Sequence, residues 1–125
     1  MSRLLSDLTP AMRSKAVEFL SKCLEEKIPL MVIDTLRTPK EQEENIKKGV
    51  SWTKNSKHLP GPDGKSRAID VCPYKTFVLH GENKLQWDQK DPVWAKIGAI
   101  GESLGLTWGG RWVKTPDWGH FQLDE

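Results

Sequence analysis

Apolar residues recur at helical spacing near the start of this chain. The segment opens at Thr9-Pro10, where a capping side chain precedes a proline suited to the first helical position, and it runs to about Lys27. Spacing of this kind predicts an amphipathic helix that packs one face against the core. The apolar positions expected on that face are Ala16, Phe19, Leu20, Cys23 and Leu24.

Two further helices are indicated by their capping signals. Thr38-Pro-Lys-Glu41 is a capping box, and the helix that it opens is expected to end near Gly49. Asp91-Pro92 opens the other helix, which is expected to end at Gly105. The apolar positions of the helix that Asp91-Pro92 opens are Val93, Trp94, Ile97, Ile100 and Leu104.

Short β-branched runs predict strands. Residues 30–33 form one strand that places Arg37 just beyond its end, and residues 68–72 form another. Residues 108–123 are expected to form a closing antiparallel pair. Because helices run first and strands cluster later, we expect an α+β domain with a small, mostly antiparallel sheet flanked by helices.

Length and composition narrow the class of protein. The 125 residues fit a single domain, and no linker or repeat divides residues 1–125. Lysines and arginines are interspersed with acidic residues for a net charge of +2, so nothing favours nucleic-acid binding. We expect no membrane insertion, because the chain lacks an apolar run of ~18 residues. Without a signal-peptide pattern, we expect synthesis in the cytoplasm. Two cysteines are too few for a disulfide framework.

Two histidines and two aspartates are the candidate metal-binding and catalytic residues. Asp117 lies three residues before His120 in a tryptophan- and glycine-rich segment, while His58 and Asp70 each lie next to a strand-like run. A catalytic zinc ion takes three nitrogen or oxygen ligands and leaves a fourth position for water. We therefore expect His58, Asp70 and His120 to bind zinc and Asp117 to act as the general base.

Other residues have simpler explanations. A single histidine is more often structural than a ligand, and His80 is expected to be exposed in a polar loop. Cys72, two residues after Asp70, is more readily explained as a small buried hydrophobe than as a zinc thiolate. Trp94 is expected in the core, whereas Trp52 and Trp87 stay undecided. The tryptophans expected to flank the site are Trp108, Trp112 and Trp118.

These motifs, in this order, resemble the LAS-type zinc peptidases. The resemblance extends roughly over residues 33–123 and rests on five elements. They are Arg-x-x-x-x-Gln from Arg37 to Gln42, Ser-x-His at Ser56, Ser-x-Ala-x-Asp ending at Asp70, Trp-Gly-Gly-x-Trp from Trp108, and Asp-x-x-His-Phe from Asp117. The family includes D-Ala-D-Ala carboxypeptidases and dipeptidases, and the L-alanyl-D-glutamate endopeptidases of bacteriophages. Its fold also occurs in hedgehog signalling domains. Within the family, the motifs resemble most those of the phage endolysins.

The resemblance implies roles for individual residues. It implies one zinc ion per chain on His58, Asp70 and His120, with Asp117 as the catalytic base. Arg37 would hold the polarised carbonyl oxygen or a substrate carboxylate. The substrate-binding candidates, at positions that line the cleft in the family, are Ser56 and Gln42. Gln42 could instead only brace Arg37.

The chain departs from the family between its first histidine and its aspartate. Twelve positions separate Asp70 from His58, a longer spacing than is usual in the family, and Ser66 stands where the family has glycine. Residues 60–64, Pro-Gly-Pro-Asp-Gly, read as an inserted surface turn. We expect this turn to alter substrate contacts more than metal binding.

The resemblance implies an endolysin that hydrolyses the L-alanyl-D-glutamate bond of peptidoglycan with zinc. It implies a monomer in the host bacterial cytoplasm that reaches the cell wall with the help of a holin, and we expect no separate wall-binding domain. A D-Ala-D-Ala carboxypeptidase or dipeptidase is the alternative within the family. A non-catalytic, zinc-stabilised binding domain is the alternative of another class.

Overall fold

The computed structural model describes residues 2–48, 56–74 and 84–124. Within these ranges the chain forms helices, strands and two short 3-10 turns. The helices are α1 (Pro10–Glu25), α2 (Pro39–Lys47) and α3 (Val93–Ser103). The strands are β1 (Leu30–Asp34), β2 (Ala68–Pro73), β3 (Thr107–Trp108) and β4 (His120–Gln122), and the 3-10 turns are Leu5–Asp7 and Gly109–Arg111.

The four strands form one sheet in the order β1-β2-β4-β3. Every neighbouring pair is antiparallel. Asp70 on β2 lies opposite Asp34 on one side and opposite His120 on the other. This arrangement confirms the predicted α+β class and antiparallel sheet, and it places Asp70 in the middle of the sheet.

The helix starts follow the predicted caps. The Thr9 hydroxyl accepts a hydrogen bond from the backbone N–H of Met12 at 3.1 Å, and the capping box of Thr38 and Glu41 is present. The Asp91 carboxylate accepts from the backbone N–H of Val93 at 2.9 Å. These side chains satisfy backbone donors that a helix leaves unpaired at its first turn.

Helices α1 and α3 pack against each other and against the sheet. Phe19 of α1 and Phe121 of β4 place their ring centroids 4.4 Å apart. The expected core face of α1 is confirmed at Ala16, Phe19 and Cys23, but it is wrong for Leu24, which is 62% exposed. The buried stripe is centred on Phe19, Cys23 and Met12, so Leu24 lies beyond its edge.

Cys72 and Trp94 are buried in this core, as predicted. Burial raises the pKa of the Cys72 thiol to about 11. Trp87, left undecided from the sequence, is exposed and stacks on Trp94 with centroids 6.2 Å apart. Trp52 and His80 lie outside the described residues. None of the helices in the described ranges has the length and apolar character needed to cross a bilayer.

Candidate metal centre

Three predicted ligand residues meet at the centre of the sheet. One side-chain atom from each of His58, Asp70 and His120 lies within 4.8 Å of the other two. Asp70 Oδ1 is 3.1 Å from His58 Nε2 and 3.1 Å from His120 Nδ1. The sheet register explains part of this convergence, because Asp70 and His120 lie opposite each other on neighbouring strands.

His58 is held by the backbone that follows β1. Its Nδ1 lies 2.8 Å from the carbonyl oxygen of Thr35, and since a carbonyl only accepts, Nδ1 carries the proton. The Arg37 backbone N–H in turn donates to the His58 carbonyl at 2.9 Å. The Nε2 atom is buried and faces Asp70 Oδ1.

His120 approaches the same carboxylate oxygen from β4. Its other ring nitrogen, Nε2, lies 2.8 Å from Gln122 Oε1. The two imidazoles are 1% and 4% exposed, for His58 and His120 respectively, and their rings are nearly perpendicular with centroids 5.1 Å apart. Each ring has one nitrogen bonded outward and one directed at Asp70.

Charge in this cluster favours a cation. Burial by itself would raise the pKa of Asp70, but the charge of His58 and hydrogen bonds from both histidines hold that pKa well below its usual range. Burial would lower the pKa of His120, but Asp70 raises it, helped by the charge of Asp117. Two imidazole nitrogens and one carboxylate oxygen that converge in this way form a donor set that fits zinc.

Asp117 lies at the exposed rim of the cluster. Its backbone N–H donates to the carbonyl of Gly109 at 2.9 Å, and its own carbonyl accepts from the N–H of His120 at 3.3 Å. A Cβ atom at Gly109 would lie 2.6 Å from the Asp117 carbonyl oxygen, so this close approach requires glycine. Surrounding protein and the negative charge of Asp70 raise the pKa of Asp117.

Arg37 is buried behind Asp70. Its Nε and Nη2 both donate to Asp34 Oδ2, with an Nε–Oδ2 distance of 3.0 Å, and Nη1 donates to Gln42 Oε1. Nη2 is also 3.6 Å from Asp70 Oδ2. Three carboxylate or amide groups thus surround the guanidinium, which places its positive charge beside the expected zinc ligand.

The two residues expected to bind substrate differ in position. Gln42 is 1% exposed and accepts a hydrogen bond from Arg37, a geometry that favours the bracing role left open by the sequence. Ser56 is half-buried, and its hydroxyl accepts from the His58 backbone N–H at 3.2 Å. It therefore holds the turn that carries His58. Substrate contact by either residue stays a prediction.

The inserted segment between His58 and Asp70 closes on itself. The N–H of Arg67 donates to the carbonyl of Lys57 at 3.0 Å, and the N–H of Gly61 donates to the carbonyl of Lys65 at 3.0 Å. Ser66 is buried, with its hydroxyl 3.1 Å from the Ala68 carbonyl. The predicted turn is confirmed, and it lengthens the loop without separating the two ligand residues.

Tryptophans adjoin the site as expected. The Trp112 ring lies 5.0 Å from the His120 ring. Trp108 is buried and donates its indole N–H to the Trp118 carbonyl at 2.8 Å, and their ring centroids are 5.8 Å apart. These contacts hold the segment between β3 and β4 against the sheet.

Sequence reasoning missed three groups that position the predicted ones. Asp34 pairs with Arg37, the Thr35 carbonyl orients His58, and Gln122 contacts His120. Gln122 had a detectable signal, because residues two apart on a strand share a face. Asp34 and Thr35 act from a distant segment, which local spacing does not reveal.

Comparisons with known proteins find peptidases of similar sequence and fold. An L-alanyl-D-glutamate peptidase from a Listeria phage is 31% identical over 98 residues, which cover 78% of this chain. The chain spans about a third of that relative, since the match covers 31% of it. The Serratia marcescens L-Ala D-Glu endopeptidase ChiX has the same fold, with a TM-score of 0.69 at 24% identity over 96% of this chain and 83% of that one.

Family membership follows from a match that includes every expected zinc ligand and the expected base. Residues 49–123, more than half of the chain, match the family described as D-alanyl-D-alanine carboxypeptidase. This match confirms the resemblance that the motifs indicate. The chain therefore belongs to the D-alanyl-D-alanine carboxypeptidase family of peptidases.

Proposed function

We propose that this chain is a zinc-dependent peptidoglycan endopeptidase that hydrolyses the L-alanyl-D-glutamate bond of the stem peptide. The observation that carries the proposal is the convergence of His58, Asp70 and His120 beside Asp117. The choice of bond is supported by the Listeria phage relative, which is named for that bond.

The proposed mechanism gives each group one task. His58, Asp70 and His120 would hold zinc, which when bound would polarise the L-Ala carbonyl and make a water molecule more acidic. Asp117 takes the proton from the attacking water and delivers it to the departing D-Glu nitrogen as the C–N bond breaks. Its raised pKa suits this exchange, because a proton must both arrive and leave.

Arg37 would contribute charge. Its guanidinium is already bonded to Asp34 and Gln42, so a bidentate grip on a substrate carboxylate is disfavoured. A positive charge near Asp70 would still stabilise negative charge that develops on the carbonyl oxygen. We therefore favour the first of the two roles that the resemblance implies for this residue.

The biological setting follows from the same proposal. A phage endolysin would be made in the host bacterial cytoplasm and would reach peptidoglycan after a holin permeabilises the membrane. We propose that residues 1–125 form one catalytic domain that acts as a monomer.

Digestion of purified peptidoglycan, followed by mass spectrometry of the fragments, tests the proposal. Hydrolysis of the proposed bond leaves a new free amino group on D-Glu and releases no sugar reducing ends. Chelation should stop the reaction and added Zn²⁺ should restore it. New reducing ends would identify a glycosidase and overturn the proposal.

A D-Ala-D-Ala carboxypeptidase is the second candidate, favoured by the description of the matching family. The same digestion separates the two, because free D-Ala as the only product would identify the carboxypeptidase. Zinc binding without any cleavage would instead support a zinc-stabilised binding domain.

A further inference from the structure

A chain of polar side chains extends from His120 away from the cluster. His120 Nε2 lies 2.8 Å from Gln122 Oε1, and Gln122 Nε2 lies 2.6 Å from Asp124 Oδ1. The Thr107 hydroxyl donates to the other Asp124 oxygen. The chain joins β4 to the start of β3 and ends at the surface.

The carboxylate of Asp124 gives this chain a direction. An ionised carboxylate only accepts hydrogen bonds, so the amide –NH₂ of Gln122 must face Asp124. The hydrogen bond from Thr107 holds the pKa of Asp124 below its usual value and so keeps the carboxylate ionised. The Gln122 carbonyl oxygen then faces His120, whose Nε2 must carry a proton. A ring that keeps this proton can bind zinc only through Nδ1, the nitrogen that lies 3.1 Å from Asp70 Oδ1.

We infer that Gln122, oriented by Asp124 and Thr107, is a positioning residue that sets the tautomer and ring orientation of His120 for zinc. The inference rests on the proposed zinc site and adds the reason why Nδ1 is the ligand atom. Groups that hydrogen-bond the outer nitrogen of a ligating histidine fix its tautomer and strengthen metal binding. Gln122 itself does not need to touch substrate.

The test combines three variants. Gln122→Met keeps the length of the side chain but removes the acceptor. The double variant Gln122→Glu/Asp124→Asn restores an acceptor and reverses the amide–carboxylate pair that orients it. Gln86→Met is the matched control, because Gln86 is also half-buried and donates to an aspartate, Asp91, at 3.0 Å, away from the cluster. Circular dichroism and thermal unfolding of the zinc-free proteins would verify that each variant folds.

Zinc affinity, measured by competition with a chromophoric chelator, is the first readout. Gln122→Met should bind zinc about 10–100-fold more weakly, as is typical when such an outer contact is lost. Gln122→Glu/Asp124→Asn should regain most of that affinity, and Gln86→Met should match the wild type. Equal affinity in Gln122→Met and wild type would overturn the inference.

The second readout is the His120 ring in the zinc-loaded protein. Ring ¹⁵N shifts report which nitrogen binds the metal and which carries the proton. The wild type should show metal-bound Nδ1 and protonated Nε2, and the Nε2 proton should exchange faster with water in Gln122→Met at saturating zinc. Equal exchange in the two proteins would overturn the inference. A wild type that binds no zinc would instead contradict the proposed function on which the inference rests.

Discussion

The two histidines of the cluster are supported in different ways. His58 is held by backbone groups of a distant segment, the Thr35 carbonyl and the Arg37 N–H. His120 is held by a side chain two residues further along its own strand, Gln122. His58 is thus oriented by the main chain, whereas His120 is oriented by a side chain that a substitution can replace.

This difference bears on how the site responds to substitution. A side-chain change at Thr35 leaves the carbonyl that orients His58 in place, so the His58 half is sensitive mainly to changes that move the backbone. The His120 half can be altered by one substitution at Gln122 without moving the sheet. We therefore expect side-chain substitutions on β4 to change metal affinity more readily than side-chain substitutions near Thr35.

Removal of either histidine gives the largest expected effect. His58→Ala and His120→Ala should each lose zinc and nearly all hydrolytic activity, because two remaining protein ligands make a poor zinc site. The two should differ in stability. His58→Ala leaves the buried Thr35 carbonyl without its donor, which costs about 1–3 kcal/mol in the zinc-free protein.

Urea unfolding in the presence of a chelator measures that difference, and metal analysis measures the zinc. His120→Ala should be the more stable zinc-free variant, since Gln122 near the surface can bond to water instead. Unfolding of the two variants at the same urea concentration would contradict the statement that backbone groups hold His58 and a side chain holds His120.

Asp117→Asn should give the next largest effect. The substitution preserves size but removes the proton acceptor, so kcat should fall by about 10²–10⁴ while zinc stays bound. Asp88→Asn, on an exposed turn, is the control with unchanged kcat and zinc content. Loss of zinc from Asp117→Asn would instead make Asp117 a metal ligand.

Arg37→Ala tests the support behind Asp70. The substitution leaves the buried Asp34 carboxylate without its partner, which should cost about 3–5 kcal/mol of stability. The double variant Asp34→Asn/Arg37→Met should recover part of that loss, because the unpaired charge is gone. Denaturant unfolding of the zinc-free proteins measures both, and equal stability of the single and double variants would contradict the buried pairing.

Gly64→Ala gives the smallest expected effect. Gly64 has a φ of 73°, and this left-handed conformation costs an alanine about 1–2 kcal/mol. Zinc affinity should not change, because the inserted loop closes through its own backbone hydrogen bonds. Thermal unfolding and chelator competition check the two statements, and a drop in zinc affinity would show that the insertion supports His58.

The amino-acid sequence determined the helix starts and the candidate metal-binding residues. Thr9, Thr38 and Asp91 mark the helix starts through short-range hydrogen bonds, which local sequence encodes. The motifs around His58, Asp70 and His120 indicated the family, which the match over residues 49–123 confirms. The exposure of Leu24 was missed. Helical spacing defines an apolar stripe on α1, but it does not define how far the rest of the protein covers that stripe.

Only the tertiary structure decided how the ligands are oriented. The register of β1, β2 and β4 places Asp34, Asp70 and His120 side by side, although long stretches of sequence separate them. The Thr35 carbonyl selects the tautomer of His58, and Asp34 with Gln42 encloses Arg37. A local pattern specifies which groups can bind a metal, but the direction of each lone pair depends on partners that only strand pairing and packing bring within hydrogen-bond distance.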